Sequence, residues 1–283
     1  MDTTGDARVK TATRWILAAA LAGTASTAAT TATAAEPLWE LGAFGGLAST
    51  PAYPGSVDSS RRALLLPFFL YRGKVLRVDQ QGIGARLVNR DRFEFDVGLA
   101  GSLPAKSDDV AARLGMPDLG SLVELGPRAK VTLAELSPNS RLRLDIPLRA
   151  VLELRGGVRT QGYTFEPKLV YELRGPEGAW SFDANVGMVV GDRKVNRYFY
   201  EVRPEFALAD RPAYEANGGL MLVRTGVSGS RMINPDLRLF GFVRLESYAS
   251  AANRDSPLMK KTTGSSVGMG FAWTIKRSTQ PAQ

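Results

Sequence analysis

The clearest hydrophobic pattern in the chain lies at residues 141–155, which read R-L-R-L-D-I-P-L-R-A-V-L-E-L-R. Every second position is apolar, and most positions between carry a charge. Side chains alternate between the two faces of a strand, whereas helical spacing would mix Ile146 with Arg149 and Glu153 on one face. The pattern therefore predicts a strand, longer than the roughly 5 or 6 residues of soluble strands and sufficient for the roughly 9 to 11 that cross a bilayer.

The same alternation recurs along most of the chain. Turn-forming sequences such as Ser-Pro-Asn and Gly-Pro-Glu-Gly separate the alternating segments, and aromatic residues gather near segment ends, as in the girdles of membrane barrels. The pattern predicts an all-β fold, an antiparallel transmembrane β-barrel with an apolar outside. Eleven strands are predicted near residues 38–49, 63–72, 75–88, 93–103, 121–136, 141–155, 159–174, 179–191, 214–230, 237–250 and 265–276.

The number of strands is the weakest part of this prediction. Bacterial single-chain barrels normally have an even number of strands, so residues 196–206 (N-R-Y-F-Y-E-V-R-P-E-F) are predicted to form a twelfth strand, and ten strands is the alternative. Pro127, Pro147 and Pro167 interrupt three predicted strands, and each removes a backbone donor. We expect bulges or interfacial positions there, and the prolines leave a soluble β-sandwich or β-barrel open.

The first 35 residues have the organisation of a secretory signal peptide. Arg8, Lys10 and Arg14 precede the apolar stretch W-I-L-A-A-A-L-A-G, and small residues lead to a predicted cleavage site after Ala35. The apolar stretch is shorter than the roughly 20 residues that span a bilayer. Residues 1–35 are therefore a predicted export signal, residues 36–276 a single barrel domain of the outer membrane, and residues 277–283 a short tail.

Composition excludes several functions. The chain has no cysteine and no histidine, so it lacks disulfides, thiolate ligands and the usual general base of hydrolases. No metal, cofactor or catalytic residue is therefore predicted. The net charge is +8, but the basic residues are scattered and form no patch of the kind that binds nucleic acid.

Two short motifs resemble the MltA-interacting protein family, also called MipA/OmpV. The first is P-A-Y-P-G-S at residues 51–56, followed by Arg61, Pro67 and Tyr71-Arg72. The second is R-Y-F-Y-E-V at residues 197–202, followed by Tyr214 and Gly218-Gly219. The resemblance implies an outer-membrane barrel in contact with lipid. It also implies a scaffold that tethers a lytic transglycosylase to a peptidoglycan synthase.

Two functions follow as hypotheses. The first is a docking protein for cell-wall enzymes. If strands alternate from a periplasmic amino terminus, residues 104–120 form a long connection on the periplasmic side, where turns are usually short. This predicted partner loop contains Asp108, Asp109, Arg113 and Met116.

The second hypothesis is a porin-like channel or uptake protein. The alternation directs a set of charges into the predicted lumen, where they would either favour anions or close the lumen with ion pairs; these are Arg141, Arg143, Asp145, Arg149, Glu153, Glu166 and Lys168. Barrels of about 8 strands are filled by side chains, and those of 16 to 18 leave a channel. Twelve strands lie between these cases, so both hypotheses stay open.

Overall fold

A single antiparallel sheet dominates the computed structural model, which describes residues 37–72, 76–79, 82–102 and 107–282. The predicted signal peptide and Ala35 lie outside the described residues. The sheet contains thirteen strands: β1 (Trp39–Pro51), β2 (Ser59–Arg72), β3 (Leu76–Asp79), β4 (Gly82–Arg90), β5 (Phe93–Ser102), β6 (Ser121–Ser137), β7 (Ser140–Leu154), β8 (Val158–Phe165), β9 (Lys168–Arg174), β10 (Trp180–Gly191), β11 (Gly219–Asn234), β12 (Leu237–Ser247) and β13 (Thr263–Arg277).

The sheet closes into a barrel because its first and last strands meet. β13 pairs with β1, and β10 pairs with β11. β8 and β9 share one position, since both pair with β7, β8 along Leu148–Leu154 and β9 along Ser140–Asp145. They are separated at Pro167, which has no N–H to donate. The described strands thus occupy twelve positions around the barrel.

The structure differs from three of the predicted strands. The predicted strand at residues 159–174 is divided at Pro167 into β8 and β9. The predicted strand at residues 75–88 is divided into the hairpin of β3 and β4. The predicted strand at residues 196–206 is wrong: it overlaps the helix α1 (Arg193–Tyr200). Asp192 caps this helix, because its side chain accepts a hydrogen bond from the Val195 backbone N–H, at 2.9 Å. Short 3-10 turns occupy Ser107–Asp109, Ala111–Arg113, Pro176–Gly178 and Pro204–Phe206.

The outer face of the barrel is apolar. Large apolar side chains are exposed at alternate positions of the strands, as with Leu65, Met269 and Ile275, which are 67%, 66% and 65% exposed. On β7 the intervening residues Arg143, Asp145 and Glu153 are buried instead. An apolar outside with a polar inside is the arrangement of barrels that lie in a membrane. Among the described residues, no helix is long and apolar enough to cross a bilayer.

The two ends of the barrel differ. One end, here called the turn end, carries the short connections 91–92, 138–139, 175–179 and 235–236 and the first and last described residues, where Pro37 bridges Pro281. The tail follows β1 there, because the Ser278 N–H donates to the Trp39 carbonyl at 2.9 Å. The other end, the loop end, carries the connections 52–58, 155–157, 192–218 and 248–262 and the described part of a fifth, residues 107–120.

Residues 107–120, the described part of the connection after β5, lie at the loop end instead of the expected turn side. The β3–β4 hairpin reverses the chain once more than a single strand at 75–88 would, so every later connection changes ends. A hydrogen bond of 3.1 Å from the Ala111 N–H to the Asp58 carboxylate confirms this placement, because Asp58 follows β1 at the same end. The premise that put the predicted partner loop on the periplasmic side therefore fails.

The long connections at the loop end pack into a cap over the barrel, here called the loop cap. One apolar cluster joins Tyr53, Val110, Met116, Leu119, Val202 and Leu258, which come from four different connections. A second cluster joins the connections 192–218 and 248–262 to interior residues of the strands, including Leu122, Val151 and Leu222. The second cluster includes interior residues of the strands, and Tyr198, Phe199 and Tyr214 pack against both clusters, so the loop cap packs directly on the barrel interior.

Candidate functional site

The inner side of β6 to β12 carries many charged residues, and we call it the charged wall. The charged residues predicted to face the lumen belong to it. At its centre, Arg143 is buried between two carboxylates: its Nε lies 2.6 Å from Asp145 Oδ1, and its Nη1 contacts Glu172. Arg141 pairs with the same Glu172, its direct partner across the β7–β9 ladder. Arg174 adds a contact of 2.9 Å to the buried Asp183. Predicted residues on β7 and partners that the sequence did not single out thus form one network.

A second ion-pair group of the charged wall lies nearer the loop end. Arg149 Nη1 lies 3.3 Å from Glu124 and 3.1 Å from Glu166. Glu166 is also 3.7 Å from Arg224, whose Nη2 lies 2.8 Å from Glu246. The group runs from β6 to β12, across the inside of the barrel. These side chains therefore link non-neighbouring strands.

Lys168 and Glu153 have different surroundings from the other predicted lumen charges. Lys168 Nζ is 3.9 Å from Asp145, at the edge of ion-pair distance. Glu153 accepts hydrogen bonds from the Gly120 N–H at 3.1 Å and from the Tyr198 hydroxyl at 3.0 Å. Gly120 and Tyr198 both belong to loop-end connections. Glu153 therefore attaches the barrel to the loop cap.

The four residues of the predicted partner loop do not form one surface. Asp108 and Asp109 are exposed, whereas Arg113 and Met116 are buried in the loop cap. Arg113 donates to the Phe199 carbonyl at 3.2 Å, and burial lowers the pKa of its guanidinium. Met116 belongs to the apolar cluster around Tyr53. Arg113 and Met116 therefore hold the loop in place and are not open to a partner.

Tyr53, from the first family motif, is a second anchor of the loop cap. Its hydroxyl donates to the Leu258 carbonyl at 2.6 Å, and burial raises the pKa of this phenol to about 12. The guanidinium of Arg113 lies 5.8 Å from the centre of the Tyr53 ring. The motif P-A-Y-P-G-S thus joins three connections at the loop end.

Opposite the charged wall, the inner side of β12, β13, β1 and β2 is largely apolar, and we call it the aromatic wall. Phe44 and Phe240 stack with ring centres 5.1 Å apart and ring planes 12° apart. The rings pack against glycines of neighbouring strands: a Cβ on Gly268 would lie 2.5 Å from Phe242, and one on Gly270 would lie 2.6 Å from Phe240. Glycine is required there because the rings occupy the space of a side chain.

Sequence reasoning missed the aromatic wall. In the sequence, glycines alternate with larger residues in β13, at Gly268 and Gly270. In the structure, Phe240 and Phe242 of β12 lie opposite serines of β11. Their rings therefore lie over the glycines of β13. Only the strand register brings these residues together.

A cavity lies beside the aromatic wall, inside the charged wall. Its volume is about 110 Å³, and its polar lining includes Lys168, Arg224, Arg244 and Glu166, with Phe242 beside them. The Arg244 guanidinium lies 5.6 Å from the centre of the Phe242 ring. In the described part of the chain, no three metal-binding side chains come together. The arrangement suits the binding of a small molecule by charge and apolar contact.

Comparison with known proteins gives one family and a set of distant folds. The model of the family "MltA-interacting protein MipA" matches residues 41–275. No curated protein sequence matches the chain. An outer membrane channel from Pseudomonas putida F1 is 10% identical, with 88% of this chain and 100% of that chain covered and a TM-score of 0.47.

Two further solved structures are similar at the same level. The toluene transporter TodX from Pseudomonas putida is 10% identical, with coverage of 92% of this chain and 97% of that chain and a TM-score of 0.36. Outer membrane phospholipase A from Escherichia coli is 9% identical, with coverage of 82% and 92% and a TM-score of 0.34.

Proposed function

Because the chain belongs to the MltA-interacting protein family, we propose that it is a non-enzymatic outer-membrane barrel that docks a lytic transglycosylase at its turn end. The family match over residues 41–275 carries this proposal. In outer-membrane barrels the short turns face the periplasm, where murein lies. A peptidoglycan synthase, implied by the family resemblance, would bind at the same end.

The position of the long loops determines the end of the barrel at which we propose docking. Residues 107–120 pack into the loop cap at the opposite end, and for this reason the proposal moves the docking surface from the predicted partner loop to the turn end. The turn end offers exposed charges on short hairpins, including Arg90 at the end of β4 and Asp91 and Arg92 in the two-residue turn that follows. Short hairpins keep such charges in fixed positions, which favours a specific contact with an acidic partner surface.

Reversing two charges tests the docking proposal. In the double variant Arg90→Glu, Arg92→Glu we expect capture of a purified MltA-type lytic transglycosylase by the detergent-solubilised barrel to weaken at least tenfold, since like charges would then face the partner. Surface plasmon resonance measures the affinity. The matched control is Arg254→Glu, an exposed arginine at the loop end, and it should bind like the wild type. Equal binding by the double variant and the wild type would exclude this surface.

A narrow channel is a second candidate, favoured by the cavity and the half-buried aromatic wall inside the barrel. This candidate predicts steady single-channel currents in planar bilayers that rise with salt concentration. Arg244→Glu should then shift the reversal potential towards cation preference, because it reverses a charge in the lumen. Bilayers that stay silent with heat-modifiable, folded protein would eliminate the channel and leave docking.

A further inference from the structure

We propose that the interior of the barrel contains a binding site for a small aromatic carboxylate, held between Arg244 and the aromatic wall. The anion would contact Arg244, and the ring would lie against Phe242, the member of the aromatic wall that lines the cavity. The site does not depend on docking at the turn end, which lies elsewhere on the barrel.

None of the described residues covers the apolar surface of the aromatic wall completely. Phe44, Phe68, Phe240 and Phe242 are half-buried although they face the inside of a closed sheet. Membrane lipid covers the outer face and does not reach these rings. Apolar surface left in contact with water favours an apolar ligand, by about 25 cal/mol for each Å² covered.

The Arg244 guanidinium beside this wall has no direct contact with a carboxylate of the described residues. Among the described residues Arg244 forms no ion pair. The charges of Glu166 and Glu246 act on it, but these two carboxylates form ion pairs with Arg149 and Arg224. The cavity lining includes the cations of Lys168, Arg224 and Arg244 against the one carboxylate of Glu166. A partly buried guanidinium is unfavourable without an anion, and its planar fork matches a carboxylate.

The Arg244 guanidinium and the aromatic wall are close enough for one ligand to contact both. Arg244 and Phe242 are two residues apart on β12 and both point inward, with the guanidinium 5.6 Å from the ring centre. A carboxylate bound to Arg244 therefore places its own substituent over the aromatic wall. A cavity of about 110 Å³ suits one ring, since engineered apolar cavities of about 150 Å³ hold benzene.

The test uses 4-fluorobenzoate and fluorine NMR on the purified full-length barrel in a non-ionic detergent. We expect saturable binding to the wild type, at least tenfold weaker binding to Arg244→Gln, and unchanged binding to the control Arg254→Gln. The neutral analogue 4-fluorobenzamide should bind the wild type at least tenfold more weakly and be insensitive to Arg244→Gln. Heat-modifiable mobility on gels establishes that each variant is folded.

A second variant tests the apolar half of the site. Phe242→Ala should weaken 4-fluorobenzoate binding. Inorganic phosphate is expected to compete weakly, and its own affinity should be unchanged in this variant, because phosphate has no apolar body. Unsaturable binding, equal affinity for the acid and the amide, or full affinity in folded Arg244→Gln would each overturn the proposal. Competition by phosphate as strong as by benzoate would show a simple anion site and would also overturn it.

The proposed ligand site and the proposed docking surface fail separately. Arg244→Gln should leave capture of the lytic transglycosylase unchanged, because Arg244 lies inside the barrel and the proposed surface lies on the turn after β4. Loss of benzoate binding with retained capture supports the inference. Loss of both in a folded variant would show that Arg244 acts on the whole barrel, and would count against a local site.

Discussion

Replacing Arg143 with methionine is expected to lower the free energy of unfolding of the barrel by about 3–5 kcal/mol. Arg143 lies between Asp145 and Glu172, whose side chains are 1% and 2% exposed. Methionine keeps much of the volume but removes the charge, so two buried carboxylates lose their shared cation. The expected cost comes from the buried charges, not from the loss of packing: Asp145 keeps only Lys168, at 3.9 Å, and Glu172 keeps Arg141 and Arg174 but loses a buried cation. Urea unfolding followed by heat-modifiable mobility measures the change.

Two comparisons separate charge from volume at this position. The double variant Arg143→Met, Asp145→Asn should recover part of the lost stability, because it removes one of the two buried carboxylate charges that have lost Arg143. The surface variant Arg193→Met breaks an exposed ion pair with Glu215 and should change stability by only about 0–1 kcal/mol. If Arg143→Met is as mild as Arg193→Met, the network does not hold the barrel together.

The strands that cross the membrane were largely predictable from the sequence. In β7 the alternation of leucine and charge specifies both the strand and the face that each side chain occupies. The hairpin between β6 and β7 follows from Ser137-Pro138-Asn139, where proline and asparagine favour a tight turn. These features depend only on local period and turn chemistry, which a sequence contains directly.

The connections were less predictable, because their structure depends on long-range contacts. Residues 196–206 alternate like a strand, yet the Asp192 cap and the burial of Val195, Asn196 and Tyr200 favour a helix in the loop cap. Asp192 before a polar first turn was a signal that could have been read. The β3–β4 hairpin carried a weaker signal, since a strand of four residues has too few positions for a clear period.

The pairing of the charges inside the barrel was also not predictable from the sequence. The sequence supplied most of the charges of the charged wall, but their pairing depends on register, as for Arg141 opposite Glu172 and Asp145 opposite Lys168. The change of ends caused by one additional reversal also altered the functional conclusion. It placed the longest predicted loop in the loop cap and directed the docking proposal to the opposite end.

One buried amide, that of Asn253, joins three segments of the chain in the loop cap. Asn253 is completely buried, and its Nδ2 donates to Asn196 Oδ1 and to the Asn217 carbonyl, both at 2.8 Å. Its Oδ1 accepts from the Asn217 N–H at 2.8 Å. Asn196 in turn donates to the Gly191 carbonyl at the end of β10. One side chain therefore ties the connection 248–262 to α1 and to the segment before β11.

Asn253→Leu is expected to open the loop cap without unfolding the barrel. The variant has a similar side-chain volume, but it leaves buried donors and acceptors without partners, at about 1–3 kcal/mol for each group. Proteolysis proceeds through local opening, so cleavage within residues 192–218 should accelerate at least tenfold, which corresponds to about 1.4 kcal/mol. Arg254→Leu, at the exposed neighbouring residue, is the matched control and should be cleaved at the wild-type rate. Cleavage of Asn253→Leu at that same rate would mean that the apolar clusters alone close the loop end. Faster cleavage together with intact heat-modifiability would show that the cap and the barrel are separate units of stability.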